Sequence, residues 1–167
     1  MLIHKELADT FLEKYKDVMA HLNGGVLPSG IEEYAALRPE IYKRIEDIDE
    51  DCRKLVGKQF IESLRSAKCS TFVYLKKYRN GYVLQDTESG VYYQVVALTT
   101  PIEEILPEFC YIETAIVPFE NYLICDGLVF FKNVLIGKNM AKEIRDGYWE
   151  AKRTGELIAN SADITMR

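Results

Sequence analysis

Apolar positions in the first third of the chain recur every three or four residues. Ile3, Leu7, Phe11, Tyr15, Val18, Met19 and Leu22 share one face, with Glu6, Glu13, Lys14, Lys16 and Asp17 on the other. That spacing predicts an amphipathic helix over residues 2–22, ended by Asn23-Gly24-Gly25. Ser29 followed by Glu32 has the form of a capping box opening a second helix. Pro39 is expected to break or kink it after Leu37. From there one long helix is predicted to residue 67, with Ile41, Ile45, Ile48, Cys52, Leu55 and Gln59 as its seam. The simplest partner for that seam is the first helix, antiparallel to it. A homodimer through the same helices is the sharper alternative.

The pattern changes at Lys68. Residues 69–79 are rich in aromatic and β-branched side chains, then Asn80-Gly81 separates them from Tyr82-Val83-Leu84. Asn-Gly between such runs predicts a hairpin. Residues 86–90 give a looser turn, and residues 91–99 a third strand. One helical turn is expected at residues 102–106, capped by Thr99 or Thr100. Residues 111–131 then read as three consecutive antiparallel strands, with a corner at Pro118-Phe119-Glu120 and a reversal at Asp126-Gly127 that pairs Ile124 with Val129. A last helix spans residues 138–155, with Met140, Ile144, Tyr148 and Ala151 on its apolar face. Gly147 in its middle costs about 1 kcal/mol relative to alanine, or permits a close approach. These elements make an α+β protein. A helical lobe (residues 1–68) packs on a curled antiparallel sheet or open barrel of five to six strands with a closing helix (residues 69–158). A flexible tail follows (residues 159–167).

The chain of 167 residues carries a formal charge of −5. Residues 1–68 hold 11 basic and 13 acidic side chains, residues 69–137 hold 4 and 8, and residues 138–167 hold 6 and 5. The strand-rich part is therefore the most acidic, the wrong sign for non-specific attraction to phosphate backbones. The opening residues MLIHKELADTFLEKYKD are charged throughout, unlike a signal peptide. No apolar stretch is long enough to span a bilayer. Both features imply a cytoplasmic protein.

Cys52, Cys69, Cys110 and Cys125 form no CxxC pair, and His4 and His21 are the sole imidazoles. This is poor material for zinc and reads as free thiols in a reducing compartment. Asp47, Asp49 and Asp51 imitate the start of a calcium loop, but Cys52 and Lys58 stand where glycine and glutamate are required. A solvated acidic face is the simpler reading. Gly24-Gly25 lacks the flanking strand and the Lys-Ser/Thr of a phosphate loop. No cofactor and no metal is implied.

Three constellations remain. Asp126, Glu113 and Glu120 lie on neighbouring predicted strands and could pair for acid–base work, although Asp before Gly is ordinary turn chemistry. Tyr74, Tyr78, Tyr82, Tyr92 and Tyr93 lie in the first meander beside Lys76, Lys77 and Arg79. That composition can hold single-stranded nucleic acid by stacking. It suits a protein interface at least as well. The candidate binding residues are Tyr78, Arg79, Tyr92, Tyr93 and Asp126, and none is assigned a catalytic role. The functional expectation is a non-enzymatic cytoplasmic binding or adaptor protein with a protein partner. A small hydrolase-like enzyme and a single-strand binder are the alternatives.

Val117-Pro118-Phe119, Asp126-Gly127-Leu128, and Tyr148 with Ala151-Lys152 form a sequence of short words. Over about residues 70–157 they resemble a set of bacterial cytoplasmic proteins of unassigned function. In that set a strand ends in a Pro-Phe corner, then a Tyr-Asp-Gly-Leu turn and a closing helix follow. This chain departs from it at Cys125, where tyrosine is usual. Some members carry a Cys-rich zinc tail like that of the SecA translocase. None occurs here. The resemblance implies the fold and a cytoplasmic location, and no activity.

Overall fold

The computed structural model describes residues 1–165. The helical lobe begins with α1 (Lys5–Leu22), which buries Ala8, Phe11, Tyr15, Val18 and Met19. α2 (Ile31–Lys43) follows, and its capping bonds close one residue later than the sequence suggests. The Ser29 amide and hydroxyl both donate to Glu33, each at 2.8 Å. Pro39 lies inside α2 and does not end it.

The single rod expected over residues 39–67 is divided. A 3-10 turn (Ile45–Asp47) precedes α3 (Glu50–Val56) and α4 (Lys58–Arg65). Gly57, at φ +90°, separates the last two, a conformation other residues rarely adopt. Asp49, from the acidic run, caps α3 by accepting the Cys52 amide at 2.8 Å. Ile41, Ile45, Ile48 and Cys52 are buried in the same core as the α1 stripe, whereas Leu55 is exposed. Breaking the rod lets its pieces wrap α1 and reach the sheet.

The sheet has six strands: β1 (Lys68–Tyr78), β2 (Gly81–Asp86), β3 (Tyr92–Val95), β4 (Cys110–Phe119), β5 (Tyr122–Cys125) and β6 (Phe130–Leu135). All pairings between them are antiparallel, in the order β3-β2-β1-β4-β5, with β6 also on β4. The hairpin after β1 turns at Arg79-Asn80, because Tyr78 pairs with Gly81. Gly81, at φ +153°, starts β2, and a Cβ there would meet the Val95 carbonyl at 2.5 Å. The sheet curls until Val96, just past β3, meets β5. Val96 donates to the Leu123 carbonyl at 2.9 Å, and Cys125 donates back to Val96.

One expected pairing is replaced. Asp126-Gly127 does not reverse the chain, and Ile124 pairs with Val117, not Val129. The reversal comes earlier, at Glu120-Asn121, where Phe119 pairs with Tyr122 and Glu120 takes φ +53°. Pro118 stays within β4. The β1 ladder ends at Ile116, so beyond it β4 is an edge on that side and tolerates a missing N–H. β5 and β6 then run along the same edge of β4 as one interrupted strand. Asp126 donates its amide to Ala115, and Phe130 pairs with Glu113, so Gly127, Leu128 and Val129 bulge out opposite Thr114.

Three cores result. Phe72, Tyr74, Tyr82, Leu84, Ile112 and Ile116 fill the concave side, with the short α5 (Ile102–Ile105) packed there. Pro101, not a threonine, precedes α5. On the convex side the helical lobe covers one part, where Phe11, Phe60 and Phe119 meet edge to face at 5.3–6.3 Å. α6 (Lys138–Thr154) covers the rest, burying Tyr148 and Ala151 on Val73, Leu75, Val83 and Tyr92. Met140, expected on that face, is exposed. The segment after α6 is held, not frayed. Ile158 is buried and bridges Tyr93, and α7 (Ser161–Thr165) follows, with the Ser161 hydroxyl donating to the Glu120 carbonyl at 2.6 Å. Met166 and Arg167 lie outside the described residues.

Candidate functional site

The bulge opposite Thr114 pushes Asp126 into the seam between lobe and sheet. Its carboxylate is buried and accepts from the Tyr15 hydroxyl at 2.9 Å, the Tyr42 hydroxyl at 3.0 Å and the Leu128 amide at 3.1 Å. Each hydroxyl has one proton. With both aimed at Asp126, the 2.9 Å gap between the two phenol oxygens holds none. Arg38, from α2, is fully buried. Its Nη1 stands 3.7 Å from Asp126 and donates to the Leu128 carbonyl, while Nη2 stands 3.6 Å from Glu113. Its guanidinium lies 4.9 Å over the Phe130 ring, and Nε has no partner.

Burial pushes the Asp126 carboxyl above its usual range, with Arg38 and the three donors pulling the other way. Burial also holds the Tyr15 and Tyr42 phenols well above theirs, and Asp126 adds to it. Glu113 joins the cluster at its outer side and also meets Lys132 at 3.1 Å. Glu120 stands in the hairpin turn and is not part of it. The adjoining cleft, about 140 Å³ and lined by Leu12, Met19, Tyr34 and Leu128 among others, is smaller than small-molecule sites usually are. Every oxygen of Asp126 is engaged, so the arrangement locks lobe to sheet.

The second locus lies elsewhere on the convex face, between the tip of the β1–β2 hairpin and α6. A groove of about 390 Å³ is lined by Tyr78, Arg79, Asn80, Gln94, Trp149 and Lys152, with Tyr148 beneath. The Tyr78 and Tyr148 rings are 4.4 Å apart, and Trp149 meets Tyr148 at 4.8 Å and Tyr78 edge-on at 5.7 Å. Trp149, the single tryptophan of the chain, is 49% exposed. Lys152 sits 5.3 Å over its ring, and Lys76 sits 5.3 Å over Tyr78. Arg145 is close enough to draw the Tyr78 phenol down, against burial, which pushes it up to about 12. Lys76, Arg79, Arg145 and Lys152 form no ion pair among the described residues, although most of the chain's other cations do. The Tyr78 and Tyr148 hydroxyls are buried without a hydrogen-bond partner.

Comparison with family models, curated proteins and solved structures finds no match.

The five candidate residues are not brought together. Tyr78 and Arg79 share the groove. Tyr92 is buried behind it, donating its hydroxyl to the Ile144 carbonyl at 2.8 Å. Tyr93 points to the concave side, edge-on to Phe72 at 6.1 Å, and Asp126 lies in the other locus. Sequence reasoning missed Trp149, Arg145 and Lys152 as a group. A signal existed: Trp149 is a large aromatic next to the apolar stripe of α6, off its periodicity. A larger hollow of about 490 Å³ on the helical lobe is lined by Arg53, Lys54, Lys58 and Arg65 among others. There Arg53 and Arg65 already meet Glu46, and Lys54 meets Glu50. Among the described residues no group of His, Cys, Asp and Glu could hold a metal, and no helix is long and apolar enough to cross a membrane.

Proposed function

We propose that this is a non-enzymatic cytoplasmic adaptor that recognises a partner protein through the groove between the β1–β2 hairpin and α6. The observation that carries the reading is the half-exposed Trp149 stacked beside Tyr148 and Tyr78, with Lys152 over its ring and Arg79 lining the same groove, neither cation in an ion pair among the described residues. Tryptophan, tyrosine and arginine are the side chains that most often anchor protein interfaces, because they combine large contact area with directional polar groups. The hydrolase-like alternative draws no support from Asp126, whose oxygens are all engaged inside the fold.

Capture from native lysate tests it. The protein and its Trp149→Ala and Arg79→Glu variants serve as bait, each first shown to be folded by circular dichroism. Proteins held by the parent and lost by both variants support the reading. The same captured set with all three baits removes the groove as the contact surface.

A further inference from the structure

Resting on that reading, we infer that the groove takes a short, extended segment of a partner protein bearing two or three carboxylates beside an aromatic side chain. The charge is complementary and local. Lys152 lies over Trp149, Lys76 lies over Tyr78, Arg79 lines the groove and Arg145 acts on the Tyr78 phenol, whereas the chain as a whole is acidic at −5. Glu150 and Glu108 mark the edges of the basic area. Glu150 follows Trp149 and is held by Arg153 at 2.5 Å, and Glu108 acts on the Tyr78 phenol. A long polyanion would leave the cations and run onto acidic surface, while a short acidic segment stays within them.

The rest of the groove matches the rest of such a segment. An aromatic side chain can pack against the exposed part of Trp149 in the offset or edge-on geometry already used among Trp149, Tyr148 and Tyr78. The amides of Asn80 and Gln94 offer both donors and acceptors to a peptide backbone.

The test uses three probes on the full chain, read by the fluorescence of the sole tryptophan. They are the acetylated, amidated peptide Asp-Glu-Tyr-Glu-Asp, its Asn-Gln-Tyr-Gln-Asn counterpart, and single-stranded oligothymidine of eight nucleotides. The acidic peptide is expected to bind about tenfold more tightly than the amide peptide at low salt, the sum of a few screened ion pairs. The difference should shrink as salt is added and vanish in Arg79→Glu/Lys152→Glu. Calorimetry with Trp149→Ala, which has no reporter, should show the acidic peptide weakened as well. Equal binding of the two peptides overturns the inference, as does oligothymidine binding more tightly than the acidic peptide. Failure of all three probes also overturns it, and leaves the adaptor reading to be decided by the capture comparison.

Discussion

Gly147 lies so close to Tyr92 that a Cβ on it would stand 2.3 Å from the phenol oxygen. That oxygen donates to the Ile144 carbonyl one turn earlier at 2.8 Å. The glycine therefore sets how near α6 sits to β3, and through α6 the position of Trp149. Gly147→Ala gains about 1 kcal/mol of helix propensity but forces the helix off the strand, which costs about 1–3 kcal/mol. Denaturant melts should show a net loss of up to about 2 kcal/mol. Adding Tyr92→Phe should recover part of it, because the clashing oxygen is gone. If Gly147→Ala alone is stabilising, the close contact is not what positions α6.

The Arg38–Asp126 pair should behave as a buried unit. Arg38→Met alone leaves a carboxylate buried without its counter-charge and is expected to cost about 3–5 kcal/mol. The double variant Arg38→Met/Asp126→Asn should cost clearly less than the two single changes added together. Tyr15→Phe removes one donor to the carboxylate and should cost about 1.5–3 kcal/mol. Strict additivity of the two single variants in urea unfolding would show that the pair is not coupled.

Glu103 supplies a pH signature. Lys77 at 2.6 Å and the Tyr82 hydroxyl hold its carboxyl down to about 2. A carboxyl whose folded value is depressed binds fewer protons folded than unfolded. Its contribution to stability is thus complete above the unfolded value, near 4.3, and disappears as pH falls towards about 2. The gap in melting temperature between the protein and Glu103→Gln should be constant above pH 5 and close between about pH 4 and 2. A gap that persists at pH 2 would place its origin elsewhere.

The four thiols should differ in reactivity. Burial pushes Cys110 up to about 11 and Cys125 up to about 12, and both are shielded. Cys69, also raised by burial, is the only one of the four that is partly exposed. An aromatic disulfide reagent under native conditions should titrate Cys69 first, and the others only as the chain unfolds. Rapid modification of Cys125 in the native protein would contradict the packing around Asp126.

Much of this architecture can be read from the chain. Periodicity locates α1, β1, β2 and α6, and the meander follows from turn residues. What periodicity misses depends on distant partners. Nothing near Gly57 says that the helical seam must break there. The break is needed to bring Phe60 onto Phe119, a contact made across the two lobes. Asp126-Gly127 has the local form of a hairpin turn, yet Glu120-Asn121 has already reversed the chain. Asp126 is left to satisfy Arg38, which lies 88 positions earlier in the sequence. The groove was half visible. Tyr78 and Arg79 stand out on a strand end, but Arg145, Trp149 and Lys152 gain their meaning only once α6 lies across the hairpin.

The bulge opposite Thr114 also bears on the order in which the chain can fold. Asp126 finds its donors on α1 and α2, over a hundred residues away in the case of Tyr15. A β half that collapsed by itself would have to leave this carboxylate in water and the bulge unformed. The last stretch of β4's outer edge can therefore zip only after the helices arrive. Refolding followed by hydrogen exchange should show Asp126 and Leu128 among the late-protected amides, in step with α2 and behind the β1–β2 hairpin.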